Sequence, residues 1–142
     1  MDIIVKLLVF LHMVGLIHGM AAGIAGGRMG PLLASSNDDQ RSILFRLSKL
    51  LSMNGHIGLA TLWVSGILLV WLKYDGVANL DLWFWVKLAL VIVLTVLVGI
   101  VTVGLRRMRD GDMSAAPMVK RVSKTNAVVG LAIIFCAAFA FS

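Results

Sequence analysis

The stretch from Ile3 to Arg28 reads IIVKLLVFLHMVGLIHGMAAGIAGGR, and it decides the fold of this chain. Before the closing arginine it contains no acidic residue and a single lysine, Lys6, which is near enough to one end to reach lipid headgroups. About 20 apolar residues in a helix cross the hydrocarbon core of a bilayer. The sequence therefore predicts a first transmembrane span over residues 3–27.

Three further apolar stretches predict three more spans, each without Asp or Glu: 53–72, 82–105 and 119–141. The whole chain of 142 residues is 60% hydrophobic and 14% charged, whereas soluble domains are about 45–50% apolar and about 25% charged. We expect an all-α integral membrane protein, an up-down bundle of four helices that forms one transmembrane domain over residues 1–142. No soluble catalytic domain fits in the remainder.

The segment between the first two spans has the pattern of a short amphipathic helix on the membrane surface. Residues 41–51 read RSILFRLSKLL, with the apolar side chains at helical spacing and the basic ones elsewhere. The polar cluster Ser35-Ser36-Asn37-Asp38 precedes this segment and is typical of a helix start, because short polar side chains cap the first free N–H groups.

The basic residues predict the orientation. Four Lys or Arg lie in residues 28–52, one in 73–81 and six in 106–124. Short cytoplasmic loops retain such residues. We expect both termini in the periplasm of a bacterium and the protein in its inner membrane. The net charge of +6 then reflects topology and indicates no nucleic-acid partner.

Three histidines are candidate ligands for a metal or cofactor. His12 and His18 are six residues apart on the first span and do not share a helix face, and His56 lies early in the second. Each could instead make a hydrogen bond between helices. Helix rise places His18 and His56 at more similar depths than His12 and His56. His12 lies near mid-membrane.

Two basic side chains also have two interpretations. Lys87 lies near the start of the third span, and its side chain could extend either to the membrane interface or inward toward His12. Arg28 closes the first span and is either a topology anchor or a clamp on a carboxylate such as a propionate, for which a guanidinium is well shaped.

Glycines recur every fourth residue along the first span, at Gly15, Gly19, Gly23 and Gly27. Small residues at this spacing allow helix backbones to approach closely, within the bundle, in a homodimer or in a larger membrane complex. Bare backbone could also accommodate a flat cofactor such as a tetrapyrrole. The spacing alone leaves both interpretations open.

The order of these residues resembles the HemJ-type protoporphyrinogen oxidases and the related CopD-like small membrane proteins. Leu11-His12, a glycine-bearing span and Arg28 resemble the first helix of that family. Similar pieces recur in the other three helices: Met53 with Gly66-Ile-Leu-Leu, Trp85-Val-Lys87-Leu, and Lys124-Thr-Asn126. The chain departs from the family where Gly19 and Gly27 replace a Trp and a Pro.

The resemblance implies a pocket for haem b or another tetrapyrrole, held by His12, Arg28 and Lys87, and it implies porphyrinogen oxidation as the activity. Whether the chain is an enzyme is left open. The alternative is a non-catalytic accessory subunit of a respiratory or photosynthetic complex that docks through the glycines of its first helix. A small copper transporter is a third option without a clustered site. Nucleotide hydrolysis, serine hydrolysis and zincin chemistry lack their motifs.

Overall fold

The computed structural model describes residues 2–73 and 77–140, and the elements in that part of the chain are all helical. Four α-helices follow one another: α1 (Asp2–Ser35), α2 (Asp38–Lys73), α3 (Leu82–Arg109) and α4 (Ala116–Ala140). Short 3-10 turns, Val77–Asn79 and Met113–Ala115, precede α3 and α4. The predicted all-α class is confirmed.

Three helices, α1, α2 and α3, are long and apolar enough to cross a membrane. The chain is therefore a multi-pass membrane protein by the length and composition of its helices. Within the described residues α4 does not meet the same criterion, and its first turns carry Lys120, Arg121 and Lys124. A fourth crossing over 119–141 stays a prediction, and residue 141 lies outside the described residues.

The separate interfacial helix predicted over residues 41–51 is wrong, because that segment forms the first turns of α2. Its predicted start is correct. The Gln40 N–H donates to Asn37 Oδ1 at 2.9 Å, and the Asn37 N–H donates to Gln40 Oε1 at 3.2 Å. This reciprocal cap begins the helix. No Pro or Gly follows until Gly55, so nothing ends the helix before it joins the second apolar stretch.

Helix α1 continues eight residues past the predicted end of the first span, to Ser35, with Pro31 inside it. Proline in a helix interior removes one backbone hydrogen bond and usually bends or ends the helix. Here Leu33, two residues later, is completely buried against the rest of the bundle, so tertiary packing holds this last turn. Only Ser36 and Asn37 separate α1 from α2.

The connection between α3 and α4 is also short. Gly111 has a φ of 101°, a left-handed conformation that glycine adopts without strain. Next to it, the Asp112 carboxylate accepts hydrogen bonds from the hydroxyl and the backbone N–H of Ser114. These hydrogen bonds, the hydroxyl first, hold the pKa of Asp112 below its ordinary value.

Around the bundle the helices follow one another in the order α2, α1, α4, α3, and each is antiparallel to its neighbours. Helices α2 and α3 make few contacts with each other. We call the end that carries residues 36–37 and 110–115 the turn end, and the opposite end, where α1 begins, the terminal end. A cluster of apolar side chains closes the turn end: Met29, Leu33, Leu105, Met108, Ala115 and Val119. At the terminal end the weak contact of α2 with α3 leaves the interior open.

The closest helix contact joins the backbones of α1 and α2. A methyl group built on Gly58 would lie 2.7 Å from the Gly19 nitrogen and 2.8 Å from the Gly15 carbonyl oxygen. A methyl group on Gly15 would lie 2.9 Å from the Gly58 carbonyl oxygen. Since lipid tails are as apolar as the helix surfaces, such close packing replaces the hydrophobic effect as the source of association.

We expect Gly58→Ala to destabilise the bundle, because the atoms that the new methyl would meet are backbone atoms and cannot rotate away. Overpacking of this kind costs about 1–3 kcal/mol, which circular dichroism in detergent would detect as a lower Tm. Gly99→Ala is the matched control, since nothing lies within 4 Å of its added methyl. Equal Tm values for the two variants would contradict the proposed contact.

Candidate functional site

A cavity of about 230 Å³ lies among the four helices near the terminal end. We call it the His12 cavity. His12 and Leu16 of α1 line it together with Leu62 and Gly66 of α2, and each of the other two helices adds apolar residues. Most of the wall is aliphatic, and among the described residues that form it the ionisable ones are His12, Lys73 and Lys87.

The cavity continues sideways between α2 and α3. A second space of about 300 Å³ has seven lining residues in common with the first: His12, Leu62, Gly66, Val70, Phe84, Lys87 and Val91. Its outer rim includes the aromatic side chains Trp63, Trp71 and Trp85. The two spaces are parts of one site. Sites for small molecules have the same features, with volumes of about 300–1,000 Å³, apolar walls and few polar groups.

A hydrogen bond between helices joins His12 of α1 to Ser65 of α2. His12 Nδ1 lies 2.9 Å from Ser65 Oγ, and the Ser65 hydroxyl donates to the Thr61 carbonyl oxygen at 2.5 Å. If the Ser65 hydroxyl uses its single proton on Thr61, Nδ1 of His12 is the donor to Ser65. A neutral imidazole bonded in this way carries its proton on Nδ1 and a lone pair on Nε2, the state that can ligate a metal.

Two further features of the site act on His12. Gly66 faces the ring, since a methyl group built there would lie 3.3 Å from His12 Cε1, so any larger residue would press on the imidazole. Lys87 is half-buried and lines both spaces with His12. Of the two directions open to Lys87 in the sequence, the structure shows the inward one. A basic cluster in apolar surroundings is suited to an anionic group on an apolar ligand.

The other two histidines are not at this site. His18 and His56 are exposed, and each uses Nδ1 to donate to a carbonyl oxygen four residues earlier, on Val14 at 2.9 Å and on Ser52 at 2.6 Å. Neither lines the His12 cavity or the side opening. Across residues 2–73 and 77–140, no three His, Cys, Asp or Glu side chains come together where they could hold a metal ion.

Arg28 also lies away from His12. Sixteen residues of continuous helix separate them, which is about 24 Å at the rise of an α-helix. Arg28 is exposed at the turn end and does not line the cavity. The combination of His12 with Arg28 that the sequence suggested is therefore not formed, and Lys87 is the cation that accompanies His12.

The glycines of α1 face two different helices. Gly15 packs on α2, whereas methyl groups built on Gly23 and Gly27 would lie 2.8 Å from Asn126 and 2.7 Å from Ser123 of α4. Each step of four residues turns about 40° beyond a full helical turn, so such a stripe rotates around the helix. Nothing lies within 4 Å of a methyl group on Gly19. Gly15, Gly23 and Gly27 thus have a neighbouring helix where a side chain would be, and Gly19 meets α2 through its backbone nitrogen beside Gly58.

Sequence reasoning missed Thr61 and Ser65. The available signal was a pair of hydroxyl residues four apart in an otherwise apolar span, the spacing that places them on one helix face. It also missed Trp63, whose indole N–H donates to Thr95 Oγ1 at 3.2 Å and ties α2 to α3 below the side opening.

No protein-family model matches this chain, and no curated protein or solved structure is similar enough to count as a match. The resemblance to the HemJ-type and CopD-like proteins stays a prediction from the residues quoted for it.

We expect Ser65→Ala to shift the neutral tautomer of His12. Without the Ser65 oxygen as acceptor, the proton loses its partner on Nδ1 and moves largely to Nε2, which is the preferred tautomer of a free histidine side chain. Nitrogen-15 NMR of histidine-labelled protein distinguishes the two states. His18 and His56 serve as internal controls because their carbonyl acceptors are unchanged. An unaltered His12 spectrum would show that Ser65 does not set the tautomer.

Proposed function

We propose that this chain binds a haem or another tetrapyrrole in the His12 cavity and its side opening. The observation that carries the proposal is the arrangement of His12, which is tied to Ser65 through Nδ1 and lines the same two spaces as Lys87. Nε2 would ligate the iron, and the Lys87 ammonium would accompany a propionate. Bound haem would supply one-electron chemistry.

The residues of the site fit such a group in three respects. The imidazole offers a single nitrogen in the ligating state, the neighbouring cation is compatible with a carboxylate, and the remaining wall is apolar. The side opening lies between α2 and α3, the two helices with few mutual contacts, so a flat molecule can enter there with little disruption of packing. Porphyrinogen oxidation is the activity that the family resemblance adds to this proposal.

The proposed topology has four crossings, with the turn end in the cytoplasm of a bacterium and both termini in the periplasm. In its support, the two loops rich in Lys and Arg lie at the same end of the bundle, as the positive-inside rule requires of cytoplasmic loops. The His12 cavity would then lie toward the periplasmic side of the inner membrane.

The accessory-subunit alternative depends on a free glycine face. Since Gly15, Gly23 and Gly27 already contact α2 or α4, the geometry favours the ligand-binding proposal over docking through that stripe. Purification distinguishes the two functions. A haem-binding protein would be coloured, whereas an accessory subunit would be colourless and would purify together with larger membrane proteins.

Purified in mild detergent, the protein should show a Soret band that shifts on dithionite reduction, with about one haem per chain by the pyridine haemochrome assay. His12→Ala should abolish the band. Lys87→Met keeps the length of the side chain but removes a charge-assisted bond worth about 1.5–3 kcal/mol, so haem should bind about ten- to a hundredfold more weakly.

His18→Ala is the matched control, because His18 is exposed and outside the cavity, and it should retain the full band. A colourless wild-type protein that also fails to take up added haemin, or an unchanged spectrum for His12→Ala, would refute the proposal.

A further inference from the structure

Two buried polar atoms in α4 have no hydrogen-bond partner among the described residues: Ser123 Oγ and Asn126 Oδ1. The side chains that carry them are only 3% and 5% exposed. A buried acceptor without a partner is unfavourable, and in folded proteins such groups are usually satisfied by ordered water. The Asn126 oxygen without a partner therefore indicates that a molecule is bound next to it.

Space for such a molecule adjoins Asn126. Two small cavities of about 20 and 30 Å³ lie between the turn end and the His12 cavity, and both have Asn126, Gly19, Gly23 and Gly55 in their walls. We call the small cavity nearer the His12 cavity the upper one and the small cavity nearer the turn end the lower one. The lower cavity is also lined by three hydroxyl residues: Ser48, Ser52 and Thr102. One water molecule needs about 10–15 Å³ of such volume together with polar partners. Both cavities exceed this volume, and the one with the three hydroxyl residues also offers several polar partners, whereas the other has Asn126 as its polar side chain.

Glycine keeps this space open. A methyl group built on Gly19 or Gly26 would meet no atom within 4 Å, although Gly26 is buried. Both residues line the lower cavity, so their missing side chains leave room in the bundle interior. They differ in this from Gly15 and Gly58, where the missing side chain is replaced by the backbone of the neighbouring helix.

We propose that these cavities form a hydrated pocket, in which water donates a hydrogen bond to Asn126 Oδ1. The ligand is water because the walls offer neutral amide and hydroxyl oxygens and no carboxylate, whereas hard cations are usually held by charged oxygen ligands. Leu16, Leu62 and Leu94 line both the upper small cavity and the His12 cavity, and this leucine layer separates the hydrated pocket from the ligand site. The proposal does not depend on haem binding.

Water-edited solid-state NMR of nitrogen-15-labelled protein in lipid bilayers tests the pocket directly. The side-chain amide of Asn126 should receive magnetisation from water nearly as fast as that of Asn37, which is exposed in the turn between α1 and α2. Gly26→Ala, which fills the pocket without a clash, should slow this transfer several-fold. Gly99→Ala adds the same methyl on an exposed face of α3 and should leave it unchanged.

The Tm values of the same two variants give a second readout. Replacing glycine with alanine raises the helix propensity by the same amount in both variants. The difference between their Tm values therefore reports what the added methyl group displaces. Gly26→Ala should have the lower Tm because it expels water that satisfies Asn126, whereas filling a dry cavity would give it the higher one. A higher Tm, or no transfer from water to Asn126, would overturn the proposal. Transfer that disappears when Na⁺ and K⁺ are replaced by N-methylglucamine would assign the pocket to a cation instead.

Discussion

The backbone contact of α1 with α2 at Gly15 and Gly58 holds His12 and Ser65 within hydrogen-bonding distance. His12 lies one turn before Gly15, and its partner Ser65 lies two turns after Gly58 on the antiparallel helix. A side chain at either glycine would separate the helices and lengthen the 2.9 Å bond between them. In lipid, where apolar surfaces gain little by meeting, the absence of side chains is what allows this polar pairing to form.

The bundle is closed differently at its two ends. At the turn end, large side chains such as Leu33, Met108 and Val119 are almost completely buried, as in the core of a soluble protein. Toward the terminal end, mostly aliphatic side chains surround the open space of the His12 cavity, and α2 makes few contacts with α3 beside the side opening. The proposed ligand site is thus at the less densely packed end, consistent with the general placement of binding regions in the less stable parts of a fold.

Local sequence signals predicted the features that depend on local chemistry. Four apolar stretches indicated four helices, and the polar cluster before Gln40 indicated the start of one of them. The fate of residues 41–51 was not predictable from their amphipathic pattern, because a surface helix and the first turns of a longer helix share that pattern. The pairing of His12 with Ser65, and the separation of His12 from Arg28, depend on how helices pack and not on residue type.

The two-residue connection between α1 and α2 bears on how the chain enters a membrane. Each helix alone would carry polar groups into hydrocarbon, the imidazole of His12 on one and the hydroxyl of Ser65 on the other, at a cost in partition free energy. Joined by Ser36 and Asn37 alone, the helices are already antiparallel neighbours. Insertion as a preformed hairpin transfers the imidazole and the hydroxyl together as one hydrogen-bonded pair, so the short turn lowers the barrier to integration as well as shaping the folded protein.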